Sequence, residues 1–134
     1  MGFIDFSELN EYTNEIIEKF NVKTTGVSAL ASSLSGGNLQ KFVVGREIGQ
    51  KPSLFIVNQP TWGVDALSAA NIRQAIVDIA NTGAAIILIS QDLDEILEIS
   101  NKVAFLTNGK LSIPTNTMDI KTDEIGAIMG GISD

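Results

Sequence analysis

The chain contains neither cysteine nor histidine. Disulfides are therefore excluded, as are thiolate and imidazole metal sites, and a reducing compartment is compatible. Positive charge is also scarce: nine Lys and Arg stand against sixteen Asp and Glu, for a net charge of −7. A nucleic-acid surface needs clustered cations to neutralise phosphates, so nucleic acid is not an expected partner. No apolar run approaches the roughly 20 residues that cross a bilayer, and the first residues show no basic, apolar signal pattern. Membrane association is expected only through a partner, without direct insertion. Proline occurs three times, at Pro52, Pro60 and Pro114, and each position reads as an element boundary. With 134 residues and 44% hydrophobic content, one compact core is expected.

Read from the start, Asp5 and Glu8 have the spacing of a capping box. Leu9, Ile16, Ile17 and Phe20 then share one helical face, with Glu8, Glu11, Glu15 and Glu18 mostly elsewhere, so an amphipathic helix is expected to end near Asn21. The acidic run is a solvated face. Residues 22–33 are polar and loop-like. From Gly36 a helix should run to about Gly49, burying Leu39, Phe42 and Val43 and weakened slightly by Gly45. Leu54 to Val57, bounded by Pro52 and Pro60, predicts a strand buried on both faces of a parallel sheet. Such a strand delivers its last residues, Asn58 and Gln59, to a ligand crevice.

Further on, Ile72, Ala75, Ile76, Ile79 and Ala80 mark a helical face that Gly83 stops, and Ala84 to Ile89 predicts a second parallel strand. Leu93, Ile96 and Leu97 suggest a short helix. Strands near 102–107 and 110–113 should follow, joined at the hairpin signal Asn108-Gly109, with the first of them parallel to its upstream neighbours. Pro114 to Thr117 is linker-like, and Asp123 to Met129 suggests a last short helix. Three segments are expected: 1–50, 51–113 and 114–134.

The organising stretch is Leu34-Ser35-Gly36-Gly37-Asn38-Leu39-Gln40-Lys41. A serine and two glycines at the mouth of a helix leave backbone N–H groups uncovered at the positive end of its dipole, where phosphate oxygens fit. Taken alone, the same residues describe an ordinary cap. Their spacing to later residues adds weight. Leu54-Phe55-Ile56-Val57 ending in Asn58-Gln59-Pro60-Thr61, then Gly63-Val64-Asp65, then Ile89-Ser90-Gln91-Asp92, follow in the order of the signature, Walker B strand, D-loop and switch loop of ABC-type ATPases. The chain resembles that family over most of its length. Flanking residues, including Asp92-Leu93-Asp94-Glu95, are similar to bacterial importers of simple sugars or nucleosides, and within them to the C-terminal portion of the second, degenerate cassette.

The resemblance implies an α/β fold: a partial P-loop NTPase with a mainly parallel sheet, lacking the Walker A half. No Gly-x-x-x-x-Gly-Lys-Ser/Thr occurs, so the loop that cradles phosphates and the hydroxyl that holds magnesium are missing from these residues. In the family that loop lies upstream, and the chain is expected to be a fragment beginning inside the helical subdomain, where permeases dock. An apolar sheet edge or face should then be unprotected, which favours self-association.

Walker B in the family ends in an aspartate linked to magnesium and a glutamate that handles the attacking water. Here they are Asn58 and Gln59, and Gln91 replaces the switch histidine. A neutral amide orients water but takes no proton from it at pH 7 and brings no charge to a metal. No catalytic residue and no metal ligand is therefore expected in the isolated chain.

The signature is intact. In the head-to-tail cassette pairs of the family, Ser35, Gly36 and Gly37 would meet ATP held by the partner cassette, in the same polypeptide or a second copy. Asp65 would lie at the pair interface and cap the next helix, and Trp62 is expected to pack there. ATP and magnesium belong to the full assembly, with none bound tightly by this chain. The other implied partners are transmembrane permease subunits, and the implied location is the cytoplasmic face of the membrane. The alternative is a non-enzymatic docking module derived from a cassette.

Overall fold

The computed structural model describes residues 4–120, in two compact units divided after Ile89. The helix expected at 123–129 lies outside the described residues. In the first unit, Asp5 accepts hydrogen bonds from the N–H groups of Ser7 (2.9 Å) and Glu8 (3.3 Å) and so starts α1 (Phe6–Lys19). Helix α2 (Gly36–Gly49) follows a loop with one 3-10 turn at Ala31–Ser33. Strand β1 (Leu54–Asn58), helix α3 (Ala66–Asn81) and strand β2 (Ala85–Ile89) form a βαβ unit. Its strands pair in parallel, with Leu54 opposite Ala85 and Asn58 opposite Ile89.

Helix α2 lies between α1 and α3, and α3 packs on β2. Ile16, Phe20, Val44, Ile48, Ile72, Ala75, Ile76 and Ile79 are all buried. The boundaries of α2 are as expected, but its buried face is not. Lys41, Val44, Gly45 and Ile48 point inward, while Leu39 and Val43 are exposed and Phe42 is half-buried. The reason is close helix packing: a Cβ on Gly45 would lie 2.6 Å from Phe20 Cδ2 and 2.9 Å from Ile16 Cγ2. A glycine expected to weaken the helix is what lets α1 approach it. Similarly, Leu9 is exposed and Ala80 faces outward, so each helix buries a narrower stripe than its apolar pattern suggests.

Strand β1 is buried on one face only, through Phe55 and Val57. On the other face Leu54 is 52%, Ile56 59%, Ile87 49% and Ile89 51% exposed. The continuous apolar run is that of a strand covered on both sides, and the second cover is not supplied by the described residues.

The second unit contains α4 (Leu93–Ile99), capped by Asp92, and four two-residue strands. β3 (Lys102–Val103) pairs antiparallel with β6 (Thr115–Asn116), and β4 (Leu106–Thr107) pairs antiparallel with β5 (Lys110–Leu111). The hairpin at Asn108-Gly109 is as expected, with φ of 51° and 75° suited to a tight two-residue turn. Residues 102–107 are not one parallel strand, however. They divide between two antiparallel pairs, because the stretch expected to be a linker supplies β6 and a 3-10 turn at Thr117–Asp119. Thr117 Oγ1 donates to the carbonyl of Ser100 at 2.7 Å, which ties the end of the segment back to its start.

Candidate functional site

Ser35 is the N-cap of α2, in extended backbone (φ −63°, ψ 156°). Its Oγ accepts from the N–H of Asn38 (3.4 Å) and from Asn38 Nδ2 (2.9 Å). Both contacts use the oxygen as acceptor, so its own proton is available to an outside acceptor. The N–H groups of Gly36 and Gly37 precede the first full helical turn and have no intrahelical acceptor by geometry. A Cβ on Gly36 would have nothing within 4 Å. This end of the helix is therefore open, polar and at the positive pole of the dipole.

Gly37 has a different role. A Cβ there would lie 2.8 Å from the carbonyl oxygen of Gly63, so this glycine is required by the approach of the 59–65 turn. Gln40, one helical turn later, donates through Nε2 to the carbonyls of Gln59 and Pro60, both at 3.1 Å. On the other flank, Lys41 is buried and its Nζ donates to the carbonyl of Asn21 at 2.6 Å. Asn38 Oδ1 accepts from the N–H of Lys23 at 2.9 Å. The structure thus brings Ser35, Gly36 and Gly37 together with the exit of β1.

Asp65 caps α3, as expected. Its carboxylate accepts from the Ser68 hydroxyl (2.6 Å) and the Ser68 N–H (2.9 Å). The hydroxyl bond first, and the N–H bond second, hold the carboxyl below its ordinary value; Lys41 contributes a smaller pull in the same direction. Trp62 is 78% exposed among the described residues. Its position at the tip of the turn, between Gln59 and a left-handed Gly63, points it outward.

Asn58 is exposed at the end of β1, and Gln59 is half-buried with φ at 50°. Neither can serve as a carboxylate base or as a charged metal ligand. Gln91 is exposed, in the second unit, just ahead of the cap of α4. A groove of about 460 Å³ among the three helices, lined by residues such as Tyr12, Phe20, Gly45 and Ile79, includes none of these positions. Sequence reasoning assigned no role to Gln40 or Lys41. Gln40 is at i+3 from Gly37, hence on the same helix face, and Lys41 stands within the apolar pattern; both signals were present.

No protein-family model matches the chain. Among curated proteins, a nucleoside import ATP-binding protein, NupA of Lactococcus lactis subsp. cremoris, is 37% identical over 130 residues, 97% of this chain and 26% of that protein. The glucose import ATP-binding protein TsgD13 of Haloferax volcanii is 38% identical over 98% of this chain and 24% of its own length. The galactose/methyl galactoside import ATP-binding protein MglA of Escherichia coli is 34% identical over 93% and 25%.

Over nearly its whole length this chain is similar to a part of these sugar and nucleoside import ATP-binding proteins. The solved structures agree on the fold. A dimeric ATP-binding cassette, MJ0796, bound to ADP and Pi superposes with a TM-score of 0.75 at 18% identity, over 87% of this chain and 50% of that one. An ATP-binding subunit of an ABC transporter superposes with a TM-score of 0.72 at 19% identity, over 96% and 51%. The chain spans about a quarter of the length of the curated relatives and about half of the cassette structures. The parallel βαβ unit and its flanking helices are those of a partial ABC cassette, consistent with its C-terminal portion. No helix among the described residues is long and apolar enough to cross a membrane.

Proposed function

We propose that this chain acts in the ATPase of an importer for sugars or nucleosides, presenting Ser35, Gly36 and Gly37 to ATP held on a partner cassette. The observation that carries this reading is the open, serine-capped start of α2, with Gly36 unobstructed and Gly37 seated on the 59–65 turn. The relatives' names supply the transport context. Two backbone N–H groups and a hydroxyl suit the edge of a phosphate. They do not suit a whole nucleotide with its magnesium, because the neighbouring strand end offers the neutral amides of Asn58 and Gln59. Magnesium and the main phosphate contacts would come from the partner cassette, and the isolated chain would bind ATP poorly and turn none over. Its own strand end is that of a degenerate second-cassette site.

In this reading residues 1–50 are the end of the helical subdomain with the signature helix and 51–113 belong to the ATPase core, with 115–119 packed back onto it through β6 and Thr117. Asp65 lies near the pair interface. Permease subunits hold the assembly at the cytoplasmic face of the membrane.

Adding the purified chain to a separately prepared, Walker A-containing cassette tests the function. ATP turnover should rise, and the rise should vanish with Ser35→Arg, which blocks the open helix end. Unchanged turnover on adding the wild-type chain overturns the reading. A second reading, a docking module without catalytic effect, is favoured by the exposed apolar face of Leu54, Ile56, Ile87 and Ile89. It predicts co-sedimentation with the other cassette and no change in turnover.

A further inference from the structure

Strand β1 leaves the sheet through Gln59, a non-glycine residue at φ 50°, followed by the fully buried Pro60. Left-handed backbone at such a residue persists only where its surroundings over-determine it. Here the Gln59 N–H donates to the carbonyl of Ile89 at 2.8 Å, which extends the parallel ladder by one bond. The Gln59 carbonyl accepts from the Trp62 N–H at 3.2 Å and from Gln40 Nε2 at 3.1 Å, and the Pro60 carbonyl accepts from the same Nε2 at 3.1 Å. A primary amide has two N–H donors, and both are matched to carbonyls. The opposite amide orientation would set Oε1 against two acceptors, so the partners define which way Gln40 faces.

The two bonds join different elements. Gln40 stands one turn after Gly36 and Gly37, and a Cβ on Gly37 would lie 2.8 Å from the carbonyl oxygen of Gly63 in the same turn. Lys41 anchors the opposite flank of α2 to Asn21.

We propose that Gln40 is a positioning residue, which locks the signature end of α2 to the exit turn of β1 so that the main-chain carbonyls of Gln59 and Pro60 set where Ser35, Gly36 and Gly37 stand. The inference rests on the reading that those three residues meet a partner's ATP. It also accounts for the side chains at the strand end. The turn acts on α2 through its backbone, so neutral amides at Asn58 and Gln59 leave this mechanical role intact.

The turn has its own reporter, since Trp62 is the sole tryptophan and its N–H shares the Gln59 carbonyl with Gln40. The test compares the wild-type chain with Gln40→Glu, which keeps the length but replaces both donors by acceptors, with Gln40→Met, which removes the polarity, and with Gln40→Lys, which restores a donor. Acrylamide quenching of Trp62 is measured on each chain well below its melting midpoint. ATP turnover and the KM for ATP are measured after mixing each chain with a competent cassette.

The expected result is altered quenching in Gln40→Glu and Gln40→Met with helical circular dichroism unchanged. The kcat should fall by about three- to tenfold with KM nearly constant, and Gln40→Lys should recover part of the loss. Wild-type stimulation with unaltered kcat and quenching in the variants overturns the role of Gln40 and leaves the proposed function standing. If the wild-type chain itself gives no stimulation, the proposed function fails, and Trp62 quenching decides on Gln40: a change retains its hold on the turn, and no change removes it.

Discussion

The two compact units of this chain are stabilised by different means. The first contains nearly all of the buried apolar side chains among the described residues, from Ile16 to Ile79, and joins three helices to a parallel strand pair. The second has Val103 as its buried apolar side chain and relies on two-residue antiparallel pairs, a tight turn and side-chain hydrogen bonds such as Thr117 to Ser100. Short hairpins are marginal in water without a hydrophobic face to cover them. The open helix end is therefore built on the unit with the larger apolar core. Gln91 belongs to the unit with less apolar burial.

The largest way to break this contrast is Ile72→Ala, at a side chain with no solvent exposure. It should destabilise the first unit by about 2–5 kcal/mol in a denaturant titration. Hydrogen exchange on the wild-type chain should show slow amides in α3 and fast ones in the β4–β5 hairpin; equal protection would remove the contrast. A smaller effect is expected from Gly45→Ala. Helix propensity alone favours alanine by about 1 kcal/mol. The new methyl would press on the buried Phe20 and Ile16, and a net loss of about 1–3 kcal/mol is expected instead. A gain in melting temperature would show that α1 can move aside.

The second unit can be sharpened rather than broken. Glu95 is 1% exposed, and its carboxylate oxygens have no hydrogen-bond partner among the described residues. Glu95→Met keeps the shape and removes the buried polar group, so stability should rise by about 1–2 kcal/mol. A loss on chemical denaturation would mean that the carboxylate is paired in solution.

The smallest effect concerns Asp65, whose folded pKa is lowered by Ser68. A group with a depressed folded pKa contributes stability that is complete above its unfolded pKa and is lost as pH falls through the folded value. The wild-type melting temperature should therefore drop below the ordinary carboxylate range by slightly more than that of Asp65→Asn, which caps without titrating. Parallel acid curves for the two proteins would remove Asp65 from the balance.

Much of the first unit was legible because local chemistry determines it. The bounds of α2 follow from the Ser35 cap and from the chain turning toward Pro52, and those of α3 from the Asp65 cap and Gly83; the β1–β2 pairing follows from two apolar runs separated by one helix. Ser35, Gly36 and Gly37 announced a helix cap by themselves, and it was their spacing to the residues at 54–65 and 89–92 that singled them out. In the second unit, Asn108-Gly109 declared its hairpin for the same reason. The pairing of 102–103 with 115–116 did not declare itself, since two-residue strands carry no period.

By itself, then, the sequence determined the elements of the first unit, their parallel βαβ order, the caps and the neutral amide chemistry of Asn58, Gln59 and Gln91. Tertiary structure alone decided which face each element buries and what Gly37, Gln40, Lys41 and Gly45 are for. Apolar periodicity records only that a side chain is apolar. Whether Leu39 or Lys41 turns inward depends on how closely the neighbouring helix approaches, and that distance is set by atoms far away in the sequence: Phe20 on Gly45, and the carbonyls of Gln59, Pro60 and Gly63 on the first turns of α2.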